Sequence, residues 1–174
     1  MKEVKDFLKD PDRNQVVIRY TGKRMNVACD WAKFRNPILM FLRAFLNEVL
    51  GNLPPCSLKN HLYRLMGVKI GRDVAICPKV SLDPLFPELI TIENGVTLGW
   101  GCKIFTHELT TDKIKLGRVV VGERALVGGY SLIRAGVTIG KNSIVSACSA
   151  VNRNVEDGDV VAGIPVEKIS GGRR

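Results

Sequence analysis

An all-β solenoid carrying a mainly helical N-terminal appendage is the fold class this chain predicts, on three observations. A branched aliphatic residue stands at Val121, Val127, Ile133, Ile139, Val145 and Val151, one in every six positions over thirty-one residues. That period matches neither the 3.6-residue turn of a helix nor the two-residue alternation of a strand. It suits short strands joined by tight turns, each strand one side of a coil. Composition agrees, because 17 glycines and only 6% aromatics leave small residues for corners and branched residues for the inside. The third observation is a contrast: residues 1–66 carry no such beat.

The elements follow in order. Met1 to Lys9 reads as a short helix and Gln15 to Tyr20, QVVIRY, as a strand. Asn36 before Pro37 makes a helix start, with Asn as cap and Pro at the first position, and the helix runs to about Leu50 ahead of Gly51. Beyond Pro54 and Pro55, Ser57 caps a second helix that runs to Met66 and stops at Gly67. The first of these helices, ILMFLRAFLNEVL, has only Arg43, Asn47 and Glu48 as polar residues, so it needs cover on several sides. The solenoid end or another subunit supplies that cover, or else a membrane surface touched through residues 37–50. The helix falls short of the roughly 20 residues that cross a bilayer, so no transmembrane segment is expected.

Gly67 opens the repeat. Three hexads make one turn with three sides, which sorts the aliphatic positions into columns: Ile70, Ile92, Val121 and Ile139; Ile76, Leu98, Val127 and Val145; Leu82, Ile104, Ile133 and Val151. The beat breaks twice, near 83–91 and 105–120, and both breaks leave from the third column. Insertions into a repeat emerge as surface loops, where function concentrates. The columns bring Asp83 beneath the corner that carries Phe105, Thr106 and His107. Three segments result: 1–66, a mainly helical region; 67–169, the β-helix; and 170–174, a basic tail.

A formal charge of +9 and a pI near 9.5 invite a nucleic-acid reading, but the basic residues are dispersed and no zinc-finger or RNP-like pattern occurs. A small phosphorylated co-substrate accounts for local positive charge as well. The five cysteines are odd in number and never spaced as CxxC, which points to reduced thiols; Cys102, at a small inward position, is core filler. No secretory leader is evident, so a cytoplasmic location is expected. Of the two histidines, His61 lies in an amphipathic helix, whereas His107 stands where the repeat ends and a loop begins. An imidazole there can take a proton from an alcohol or amine and return it.

At this point the chain resembles a known family. IFTHE at 104–108, VVVGERALVGG at 119–129, AGVTIG at 135–140 and VAGIPVEKI at 161–169 are similar to segments of the hexapeptide-repeat acyltransferases, a group that includes maltose, galactoside, serine and xenobiotic acetyltransferases. The stretch SLDPLFPELITIENGVTLGWGCKIFTHEL resembles a sugar O-acetyltransferase branch more closely. The resemblance spans Gly67 to Ile169 and implies a left-handed parallel β-helix and a homotrimer with sites between subunits. It also implies acetyl-CoA as co-substrate, no metal, and a sugar-like hydroxyl acceptor. By it His107 is the general base, the Gly129 amide meets the oxyanion, and the Ala147 amide contacts the pantetheine arm. Asn152 and Arg153 fall on a cofactor-contacting pair; Lys168, Arg173 or Arg174 is a further cofactor candidate, standing in for a basic contact that the resemblance does not itself supply. Asp83 is the candidate for orienting the acceptor or supporting His107; a turn-capping role ahead of Pro84 is the other reading. The chain departs from the family pattern at Leu126, where an aromatic is usual, and at Gly163 to Glu167, where an acidic residue replaces a basic one.

Other readings stay open. A non-catalytic assembly solenoid lacks a reason for a His at a loop exit, and a gamma-class carbonic anhydrase needs about three histidine ligands where this chain has two. A serine-type or amine-type acyltransferase shares the same machinery. The loop from Glu108 to Arg118 is expected to overhang the cleft and select the acceptor.

Overall fold

The computed structural model describes residues 2–170, apart from 23 and 25. From Lys69 onward the chain lays strands of two or three residues on three parallel sheets in rotation. The first sheet registers Ile70 with Ile92, Ile92 with Val121 and Val121 with Ile139. The second stacks Ile76, Leu98, Val127 and Val145 and adds Val161. The third stacks Leu82, Ile104, Ile133 and Val151. All three columns are those the six-residue beat predicts, so neither break in the repeat costs a side. These residues are buried almost without exception, only Ile70 on the first coil being half-covered, and each fully buried one contributes roughly 1.5–3 kcal/mol. Cys102 lies among them, and burial pushes its thiol up to about 12.

Corners are tight because the strands are short. Asp73, Lys79, Arg124, Tyr130, Asn142 and Cys148 adopt positive φ, a conformation that costs a non-glycine residue free energy and that the surrounding ladder imposes.

The N-terminal third forms helices α1 (Lys2–Lys9), α2 (Pro37–Gly51) and α3 (Ser57–Met66), with a strand at Gln15–Arg19 and a 3-10 helix at Val27–Lys33. Asn36 caps α2 as expected, its side chain accepting from the N–H groups of Ile38 and Leu39. The cap of α3 is Cys56 rather than Ser57. Cys56 has the extended backbone of a cap and its Sγ accepts from Lys59 N at 3.5 Å, while Ser57 is already helical. Gly67 ends α3 at φ 113. Lys59 is fully buried and its Nζ donates to the carbonyls of Leu53, Ile76 and Cys77 at 2.9–3.1 Å, which plugs the open end of the first coil.

The second break is ordered as strands rather than as an irregular loop. It is a hairpin of His107–Leu109 against Lys113–Gly117, and the N-terminal strand Gln15–Arg19 adds a third antiparallel member. The alternation of KIKLG, with Ile114 and Leu116 buried, carries that pairing. A second hydrophobic cluster, including Phe7, Val16, Ile18, Leu85, Phe86, Leu89, Ile114 and Leu116, joins the N-terminal region to both breaks. The predicted basic tail lies, beyond residue 170, outside the described residues.

Candidate active site

The third sheet carries Leu82 and Ile104 side by side, so the residues that follow them leave from one corner one coil apart. Asp83 and His107 meet there: His107 Nδ1 lies 2.5 Å from Asp83 Oδ2. Asp83 is buried to 1% exposure. Its Oδ1 accepts from the N–H of Leu85 at 2.8 Å and of Phe86 at 3.4 Å. Its Oδ2 accepts from Thr106 N at 2.9 Å and Thr106 Oγ1 at 2.7 Å as well as from the imidazole. Burial alone would raise the carboxyl pKa, but the hydrogen bond and charge of His107, with the Thr106 donors, outweigh it and hold Asp83 below the ordinary carboxylate value. It is therefore ionised at neutral pH and can only accept. The proton of a neutral His107 then sits on Nδ1, and Nε2 keeps its lone pair.

This geometry bears on the readings open for Asp83: orienting the acceptor, supporting His107 or capping a turn. Asp83 does not face an acceptor, since both its oxygens are turned inward and saturated. It caps the turn after Pro84 and holds His107 at once. Sequence reasoning placed Thr106 at this corner but gave it no role; it binds both Asp83 Oδ2 and the Phe86 carbonyl. Sequence reasoning missed Phe86, whose ring lies 6.0 Å from the imidazole and beneath the Arg35 guanidinium. A role for Thr106 was within reach, that residue being the second past Ile104 and so at the same corner as Asp83.

His107 Nε2 has no hydrogen-bond partner among the described residues. The imidazole borders a cavity of about 210 Å³ whose other walls are Ala28, Trp31, Met40, Pro84, Leu85 and Leu109. Half of this lining comes from the N-terminal third, from the 3-10 helix and α2, which no repeat-based argument could have brought to the site. Glu108 turns aside from the cavity, paired with Lys115 at 3.3 Å and Arg134 at 2.5 Å.

The remaining predicted residues fall into two groups. Gly129 and Ala147 occupy equivalent places on successive coils, two residues past Val127 and Val145, and neither N–H has a hydrogen-bond partner among the described residues. No side chain fits between these coils, because a Cβ on Gly128 would lie 2.4 Å from Ala147 N. Asn152, Arg153 and Lys168 line one groove of about 480 Å³ with Pro165, Val166 and Glu167. Lys168 is only partly free for a ligand there, its Nζ lying 2.7 Å from Asp159. His107 and Gly129 follow different sheets and so stand at different corners of the coil.

A family profile described as bacterial transferase hexapeptide (six repeats) matches residues 118–153. "Putative acetyltransferase YvoF" of Bacillus subtilis (strain 168) is 30% identical over 135 residues, covering 76% of this chain and 78% of that protein. The fold is similar to that of the hexapeptide-repeat acetyltransferase VCA0836 from Vibrio cholerae O1 biovar eltor, crystallised with acetyl coenzyme A, at TM-score 0.62 and 18% identity over the whole of both chains. It is also similar to a galactoside acetyltransferase in complex with coenzyme A, at TM-score 0.63 and 17% identity over 79% of this chain and 82% of that one. On its repeat, its columns and these relatives, the chain belongs to the hexapeptide-repeat acetyltransferase family and is an acyltransferase.

Proposed function

We propose that the protein is an acetyl-CoA-dependent O-acetyltransferase with His107 as general base, its coils wound as a left-handed β-helix. One observation carries the reading. A buried, ionised Asp83 fixes Nδ1 and leaves Nε2 bare beside a cavity. In the reaction, Nε2 takes the proton of an acceptor hydroxyl as its oxygen attacks the thioester carbonyl. The C–S bond then breaks, and the imidazolium returns the proton to the departing CoA thiolate. The products are an ester and free CoA, with no acyl-enzyme.

The unpartnered Gly129 amide supports a role as oxyanion donor, worth roughly 2.7–4 kcal/mol of barrier where such donors have been removed. The free Ala147 amide on the next coil supports a contact to the pantetheine arm. Asn152 and Arg153 suit the nucleotide and phosphate end of the co-substrate, with Lys168 in a lesser part because Asp159 engages it. Since His107 and Gly129 stand at different corners, a complete site draws them from two subunits, which favours a homotrimer with shared sites. Residues 67–169 form the catalytic scaffold in this reading and 1–66 the wall of the acceptor cavity. The fold relative that acts on galactosides favours a sugar-like hydroxyl acceptor, and a cytoplasmic location fits a CoA donor.

The test is release of free CoA from acetyl-CoA with a panel of glycosides and small alcohols. His107→Ala, at a side chain only 22% exposed, should lower turnover by about a hundredfold or more with the fold intact by circular dichroism. Undiminished turnover in that variant sinks the assignment.

A further inference from the structure

Helix α2 is inside out. Two of its three polar residues turn toward the protein: Asn47 is buried, donating to Ser81 Oγ at 3.1 Å and accepting from Leu82 N at 3.2 Å, and Arg43 is half-buried, while Glu48 alone is exposed. Its solvent face is apolar, with Ile38 80%, Phe41 65%, Leu42 53%, Phe45 66% and Val49 43% exposed. The spacing of these residues follows one side of the helix. Contiguous apolar surface of this kind on a soluble domain marks an interaction site.

Two further observations say what covers it. The face runs into the His107 cavity: Met40 of α2 lines that cavity with Trp31, and the Trp31 ring meets Phe41 edge-on at 5.8 Å. An apolar track thus leads from the exposed helix to the imidazole, and among the described residues of the cavity wall there is no carboxylate or amide side chain to bracket a free sugar. The charge of the chain is also concentrated here. Residues 1–66 hold twelve Lys and Arg against six Asp and Glu, so they carry +6 of the chain's +9.

We infer that α2 lies on an anionic lipid surface and delivers to His107 an acceptor whose hydroxyl is borne on an apolar chain. At 1.5 Å per residue, 15 residues make a rod of about 22 Å, which suits a helix lying in the interface rather than crossing it. The net charge of +6 on residues 1–66 adds attraction to anionic headgroups that falls with salt. The acceptor half of the inference rests on the O-acetyltransferase reading; the docking half does not.

The experiment uses the full chain and the variant Ile38→Asp/Phe45→Asp, which alters two outward side chains away from the imidazole. Flotation is measured with vesicles of phosphatidylglycerol and phosphatidylcholine and with phosphatidylcholine alone. The wild type should float with the anionic vesicles, and the variant should bind at least about tenfold less. CoA release is then compared on methyl and octyl glucoside, the latter below its micelle concentration. The octyl compound should show a KM at least about tenfold lower, an advantage the variant largely loses. A wild type that stays with the soluble fraction overturns the docking helix, and so does a variant that floats equally well. A variant that becomes a smaller species by sedimentation velocity while the wild type ignores vesicles shows that a second copy covers α2. Equal KM values for the two glucosides overturn the acceptor half. Flotation that depends on α2, with no CoA released on any hydroxyl compound, leaves the docking helix standing and removes the O-acetyltransferase reading instead.

Discussion

The first and second corners of the coil share one beat and differ in the fate of a single amide. Two residues past the aliphatic of the first column, the N–H of Arg72 donates to Asn94 Oδ1, that of Glu123 to Glu93 Oε2 and that of Lys141 to Asp157 Oδ1, at 2.7–2.9 Å; only that of Asn94 has no hydrogen-bond partner among the described residues. At the matching place after the second column, the N–H groups of Trp100, Gly129 and Ala147 have no hydrogen-bond partner among the described residues, while that of Gly163 on the last coil donates to Ser149 Oγ at 3.2 Å. The repeat therefore supplies the geometry at both corners, and side chains then close the first at every coil but that of Asn94 and leave the second receptive until the last coil. A row of unpaired amides costs little at a surface that water wets, and it is what an oxyanion or a chain of amides can use. The third corner combines both conditions, since Thr106 N is sealed by Asp83 while His107 Nε2 beside it stays open.

The sharpest way to break this contrast is Asp83→Asn. An amide offers one acceptor where the carboxylate takes five hydrogen bonds, and its NH2 would donate to His107 Nδ1, driving the imidazole proton to Nε2. Turnover should fall about a thousandfold or more, as expected when a supporting carboxylate is lost and the wrong tautomer results. Stability should fall by about 3–5 kcal/mol, the cost of breaking a buried pair. The sign of its pH dependence follows from the depressed carboxyl pKa. The carboxylate stabilises the fold above its ordinary value of 3.8, and that contribution disappears as the pH falls through the lower folded-state value. The gap between wild type and variant, measured by urea denaturation, should therefore close in strong acid. A gap that widens there contradicts the ionised state of Asp83.

Second in size is the groove at the C-terminal coil. Arg153→Ala should raise the KM for acetyl-CoA about tenfold with kcat little changed, the pattern of lost uniform binding. Lys168→Ala should do less, because Asp159 already engages that ammonium. Equal effects from the two would mean that the Asp159 pair opens when the co-substrate binds. A fall in kcat alone would move Arg153 from binding to the chemical step.

Legibility in the sequence divided along the same line as the corners. Strict periodicity makes columns readable, and the pairing of Leu82 with Ile104 in the third column brought Asp83 to His107 before any side chain was seen. The orientation of Asp83 was not readable, because the backbone N–H groups of Leu85, Phe86 and Thr106 that turn its oxygens inward carry no side-chain signal. Nor was the contribution of Ala28, Trp31 and Met40 to the cavity. Those residues arrive through pairing of Gln15–Arg19 with the inserted hairpin and through packing of Phe7, Ile18 and Leu116, contacts about a hundred residues apart and outside the repeat. The inward turn of Asn47 likewise depends on a partner, Ser81, that lies on another element.

The smallest effect tests the closed corner. Glu93→Ala removes the acceptor of the Glu123 N–H at 2.9 Å. Glu123 is half-buried, so water can reach the freed amide and the loss is that of one charge-assisted bond, about 1–2 kcal/mol. For a chain of this size each kcal/mol lowers Tm by roughly 2–4 °C, which scanning calorimetry resolves. Because the proposed co-substrate track runs along the second corner and not the first, kcat and the KM for acetyl-CoA should stay within about twofold of wild type. An activity loss in Glu93→Ala as large as that of Arg153→Ala would show that sealing an amide does more than hold the coil together. The functional distinction between the two corners would then fail, and the unpaired amides of Gly129 and Ala147 would lose their significance as a binding track.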